Sequence, residues 1–236
     1  GIRAAKVELA EYDGRPGCIS RNFVDVAEGQ ALVHGNEILA LRVTGYERTK
    51  RFRQSDHTLE NIDAAMRRLF SSDQAEAVLT ELAGYMVLDA LIGNTDRHHE
   101  NWGLLVHSKA NPGDASLGVA PSFDHASSLG RELREERCLA LLASDGVGAY
   151  IRKGRGGIFR SPNDPHGENP LRFVEVAVRA YPSYFRPAIE RVVALPTDTV
   201  WRIMNALPPS RASTTAKQFA VAMILHAQKT LIETLK

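Results

Sequence analysis

Asp96, Asn101 and Asp124 are the residues of this sequence best suited to chemistry. Asp96 and Asn101 stand five positions apart in IGNTDRHHENWG, residues 92–103, between an apolar helix-like run and the short apolar run Leu104-Leu105-Val106. Asp124 follows a second short apolar run, so a hairpin returning from Asn101 to Asp124 brings all three side chains to one end. Hard cations such as Mg2+ take carboxylate and amide oxygens, with water and phosphate completing the shell. A further carboxylate, free of metal, can orient or deprotonate a hydroxyl. These are the parts of phosphoryl transfer, which asks for metal ligands, a base and little covalent chemistry. The same stretch also reads as a polar loop, because Asp, Asn and His bond their own backbone. The pair His98-His99 invites zinc, but no third ligand stands at a matching spacing and both cysteines are remote.

The elements that must hold these residues are mostly helical. Residues 59–70 set Leu59, Ile62, Met66, Leu69 and Phe70 along one helical face. Ser71-Ser72-Asp73 breaks that helix and caps the next. Residues 75–92 are almost continuously apolar and predict a long, central, buried helix. Two short strands are expected over 104–107 and 117–120, with an exposed turn over 108–116. Further helices are expected over 132–143, 171–180, 184–194, 197–206 and 213–235, with loops at 146–157 and 163–170. At the start, residues 4–10 alternate like a half-buried strand, 13–17 form a turn, and 18–24 return as its partner. Residues 27–45 carry no clear pattern beyond a short helix over 34–41. The fold class is therefore α+β, with a partial β-containing region over 1–45 and a helical body over 46–236.

Composition narrows the classes. The 236 residues carry 29 basic and 28 acidic side chains, a net charge of +1, which argues against nucleic acid or membrane binding as the main task. Cys18 and Cys138 are too few for a disulfide framework, and both read as reduced core residues. No apolar run reaches the length of a membrane span, and the first residues are no signal peptide, so a cytoplasmic protein is expected. The chain opens without Met inside a strand-like run, as a fragment would. Asn94 either caps the long helix or braces the loop, Trp102 packs, and Arg97 is either solvated or a phosphate contact. Arg152, Lys153, Arg155 and Arg160, interleaved with glycine, form either a solvated face or a phosphate or substrate contact.

The order Asn94-x-Asp96-x-His98-x-x-Asn101-x-Gly103, followed by Phe123-Asp124, resembles the active-site core of HipA-like serine/threonine kinases. A related spacing occurs in the phosphatidylinositol kinase group. The flanks favour the first. Residues 1–9, Asp13-Gly14-Arg15-Pro16 and Arg21-Asn22-Phe23 are similar to the strand, turn and strand leading to the hinge between the lobes. Residues 203–208 and Lys217-Gln218-Phe219 are similar to the family's end. The resemblance implies a protein-kinase-like fold and ATP- and Mg2+-dependent transfer of the γ-phosphate to a protein hydroxyl. It implies that Asp96 is the catalytic aspartate and that Asn101 and Asp124 hold Mg2+ and bridge it to ATP. His98 then lies near the transferred phosphate or organises the loop. Arg21, Asn22 and Phe23 would line the adenine pocket, and Phe123 would pack to position Asp124. A protein substrate is implied and, for some members, a helix-turn-helix antitoxin. The family also carries a Gly-rich phosphate loop and an ATP lysine, which are expected upstream or on a separate N-lobe polypeptide. Two other readings stay open: a nucleotide-binding or interaction module without turnover, and a lipid or small-molecule kinase.

Overall fold

The first ordered unit of the computed structural model, which describes residues 1–107 and 116–236, is an antiparallel hairpin of β1 (Val7–Tyr12) and β2 (Arg15–Ser20). Only Asp13 and Gly14 join the strands, with φ of 50° and 69°. A two-residue hairpin turn needs this left-handed pair, and Asp-Gly supplies it at little cost. Such a tight turn shifts the strands from the expected 4–10 and 18–24. Nearly every hairpin residue is exposed, Cys18 included, so Cys18 is not the core residue its neighbours suggest.

A second sheet carries the site. β3 (Gln30–His34) pairs with β4 (Gly103–His107), and β4 pairs with β5 (Ser116–Val119), all antiparallel in the order β3-β4-β5. β3 lies where the sequence shows no strand. Its five residues lie along β4 in unbroken register, from Gln30 opposite His107 to His34 opposite Gly103, so pairing rather than local pattern makes it a strand. The turn expected over 108–116 falls, Ser116 apart, outside the described residues. The chain's start is tied to the same region, because Ala5 N–H donates to Ser122 O and Ser122 N–H to Arg3 O, both at 2.9 Å.

The helices are α1 (Gly35–Arg42), α2 (Leu59–Leu69), α3 (Ser72–Ile92), α4 (Glu135–Ala143), α5 (Val147–Lys153), α6 (Pro170–Ala180), α7 (Pro182–Val193), α8 (Thr197–Asn205) and α9 (Thr214–Glu233). α3 is central, as its unbroken apolarity requires, and packs against α2, α6, α7 and α9. It stops at Gly93, whose φ of 64° closes the helix and whose Cβ, if present, would lie 2.8 Å from Met223 Cε. Cys138 is buried on α4. α5 replaces the loop expected over 146–157. Gly148 misleads there: it marks a close approach, with the His226 ring of α9 only 2.4 Å from where its Cβ would sit. Among the described residues, no helix is long and apolar enough to cross a membrane.

Candidate active site

Past Gly93 the chain turns through nine residues into β4, and buried polar side chains hold that turn. Asn94 donates to Asp89 Oδ1 at 2.8 Å and accepts from Asp96 N–H at 3.2 Å, so it braces the loop from the end of α3. From the other side, the first turn of α1 donates two backbone N–H groups, Gly35 to Trp102 O and Asn36 to His99 O, each at 2.9 Å. Gly35 must lack a side chain, because a Cβ would lie 2.2 Å from the Trp102 indole. Gly157 lies flat on the peptide between Arg97 and His98, with 2.6 Å from its would-be Cβ to Arg97 O.

Arg97 is neither solvated nor placed as a phosphate contact. It is buried and forms a two-pronged pair with Asp89 of α3, Nε to Oδ2 at 2.7 Å and Nη2 to Oδ1 at 2.8 Å. Its remaining donors reach Ser122 Oγ at 3.1 Å, Phe123 O at 3.1 Å and Asn101 O. One guanidinium thus fixes the loop of Asp96 and Asn101 to the segment of Phe123 and Asp124. The sequence holds a signal for this pair: Asp89 is a lone carboxylate near the end of an apolar helix, and a charge in such a place requires a partner.

Around that knot the segments that carry the three residues singled out first are tied together. Asn101 Nδ2 donates to Asp96 O at 2.7 Å, which leaves its Oδ1 as an open acceptor. Asp96 is half-buried, yet among the described residues its carboxylate joins no hydrogen bond or ion pair. Asp124 is exposed, with φ of 54°, and its carboxylate is likewise unengaged among the described residues. His98 is buried, accepts Glu100 N–H on Nδ1 at 3.2 Å, and has Arg51 Nη2 3.4 Å from Nε2. Burial lowers the His98 pKa and keeps the ring neutral near pH 7. Of the hinge residues, only Phe23 reaches this region, its ring 5.6 Å from that of Phe123. Arg21 pairs with Glu8 at 2.7 Å, and Asn22 accepts from Val24 N–H at 3.0 Å.

A buried histidine that the sequence did not mark supports the floor. His57 Nδ1–H donates to Gly157 O at 2.8 Å, and Nε2 accepts the Trp102 indole N–H at 3.1 Å. Beside it, His99 Nδ1 meets Tyr46 OH at 2.7 Å. Burial pushes the His57 pKa down to about 3 and that of His99 to about 4. Among the described residues, no group of three or more His, Cys, Asp or Glu is placed to hold a metal ion by itself.

The sign of the His57 shift sets an acid dependence. Between about pH 6.5 and the lowered value of about 3, the unfolded chain binds a proton on this ring that the folded chain refuses. Its contribution is complete above pH 6.5 and falls by roughly 1.4 kcal/mol per pH unit through that window. Urea unfolding between pH 7 and 5, where most carboxylates stay ionised, should show stability falling with acid. The slope should be shallower in His57→Gln.

Comparisons with known proteins bear on the family and the fold. The sequence profile described as the HipA-like C-terminal domain matches residues 1–156. No curated protein matches the chain. The crystal structure of a Helicobacter pylori proinflammatory kinase, CtkA, superposes with a TM-score of 0.77, covering 99% of this chain and 76% of that one at 19% identity. At that identity the likeness speaks for the fold, a mostly helical body behind a β-containing start. The matched residues include Asp96, Asn101 and Asp124, and the chain belongs to the HipA-like C-terminal domain family of kinases.

Proposed function

We propose that this chain is the catalytic portion of an ATP- and Mg2+-dependent protein serine/threonine kinase. The observation that carries the reading is the unengaged carboxylate of Asp96, set beside Asn101 and Asp124 by the Arg97 knot. The donor set suits the metal. One carboxylate and one amide oxygen are hard ligands, too few to enclose a cation, as expected where phosphates and water supply the rest. Asn101 and Asp124 would hold Mg2+, which when bound offsets charge on the nucleotide phosphates. Asp96 would accept the hydrogen bond of a serine or threonine hydroxyl, align it for in-line attack on the γ-phosphorus and receive its proton as the new O–P bond forms, the bond to the β-γ bridging oxygen breaks and ADP leaves. His98, neutral and bonded to the loop backbone, keeps the Asp96 turn in shape. Phe23, 5.6 Å from Phe123, would set the hinge segment at the edge of the nucleotide site, where residues 21–24 would line the adenine pocket. The partners proposed are a protein substrate, a helix-turn-helix antitoxin, and an N-lobe, on the same or a separate polypeptide, that brings the ATP lysine.

The test is transfer of labelled γ-phosphate by the complete protein to protein, lipid and small hydroxyl acceptors, with and without Mg2+. Transfer to protein serine or threonine is expected. ATP binding without transfer would make the chain a nucleotide-binding module, and transfer to lipid alone would make it a lipid kinase.

A further inference from the structure

A cleft of about 230 Å3 opens on Asp96, and neither Asn101 nor Asp124 lines it. Asp96 is thus the one residue of the proposed machinery, besides His98, that the cleft touches. Arg51, Arg53 and Arg155 line it, together with His166, and Asp96 is the only carboxylate in its lining among the described residues. Arg51 is 3.8 Å from Glu100, but among the described residues Arg53 and Arg155 pair with no carboxylate. The floor is bare backbone: Gly156, Gly157 and Gly167 pack so closely on their neighbours that side chains there would collide with carbonyl groups. A second cleft of about 400 Å3 shares Thr95 and Arg155 with the first and adds Arg131 and Lys153. The two clefts are neighbours, meeting at Thr95 and Arg155 beside Asp96. Three guanidiniums against one carboxylate leave the first cleft unbalanced, and a guanidinium binds oxyanions through two parallel N–H groups.

We infer that this cleft is a subsite for an oxyanion-bearing residue, acidic or phosphorylated, next to the accepting serine or threonine of a peptide substrate. The inference rests on the kinase reading and assigns part of the basic run near Arg155 to substrate selection. The other reactant does not explain it, since nucleotide phosphates belong with Asn101 and Asp124. An oxyanion there would also meet the wall that holds His99, whose Nε2 is buried without a partner among the described residues.

The test measures binding without nucleotide, so a failure of phosphotransfer and a failure of the subsite are read separately. Fluorescent peptides centred on serine, degenerate elsewhere, carry Ala, Asp or phosphoserine at one flanking position at a time. Anisotropy with the complete protein should show one flank where an anion tightens binding by about tenfold over Ala. Equal gains from Asp and phosphoserine indicate a carboxylate-sized demand, and a gain from phosphoserine alone indicates a phosphate site. Arg155→Ala and Arg53→Ala, both exposed, should remove the gain without lowering the melting temperature. The inference is overturned if no flank gains from an anion, or if the gain survives in both variants.

Discussion

Replacing Arg97 with methionine should cost the fold about 3–5 kcal/mol, because it strands a buried carboxylate without its cation. The Asp89 side chain is almost wholly enclosed, and Arg97 supplies two of the hydrogen bonds that satisfy it; Asn94 supplies the third. Domains of this kind are stable by only about 5–15 kcal/mol, so the loss is a large share of the whole. Urea titration at pH 7 measures it directly. The double variant Asp89→Leu with Arg97→Met should recover part of the stability, since a buried pair can often be exchanged for apolar groups. Recovery would not extend to activity. The carbonyls of Asn101 and Phe123 would still lack their common donor, and the two segments would lose their registration. A double variant that regained both would show that Arg97 serves packing alone.

Asp96→Asn separates chemistry from folding in the opposite way. Loss of a positioned base lowers turnover by about a hundred- to ten-thousand-fold. Stability should stay near wild type, because Asp96 contributes backbone groups to the loop while its carboxylate contributes no bond among the described residues. Nucleotide affinity should also hold, as the group acts on the acceptor hydroxyl. The measurement pairs single-turnover transfer with urea unfolding of the same preparation. Undiminished transfer by Asp96→Asn would place the base elsewhere.

The elements around the candidate site were legible where local pattern dictates them and left unread where tertiary contact does. The hairpin expected between Asn101 and Asp124 is there as β4 and β5, because apolar runs on either side of a turn dictate it; the roles proposed for Asp96, Asn101 and Asp124 await the transfer assay. Arg97 was misread because a loop arginine is usually solvated, whereas its burial depends on Asp89 eight residues earlier. β3 escaped notice because QALVH becomes a strand only against β4. α5 escaped because Gly148 reads as a breaker, although it serves contact with α9. Cys18 and Cys138 look alike in sequence, yet one lies on an exposed hairpin and the other in the core, a difference set by what packs over each strand or helix. The support from His57 was invisible for the same reason, since its partners Gly157 and Trp102 are distant in sequence.

The left-handed backbone at Asp124 says something about what this segment was shaped for. Most residues with a Cβ give up roughly 1–2 kcal/mol in that conformation, Asp and Asn less, and glycine almost none. Glycine fills the same region at Gly93 and Gly130, while Asp13, Arg53, Leu129 and Asp145 hold it with a Cβ as Asp124 does. Keeping an exposed, unbonded carboxylate on a frustrated backbone is a standing conflict between durability and use. On the proposed reading, the cost at Asp124 falls on the residue whose side chain would meet the metal.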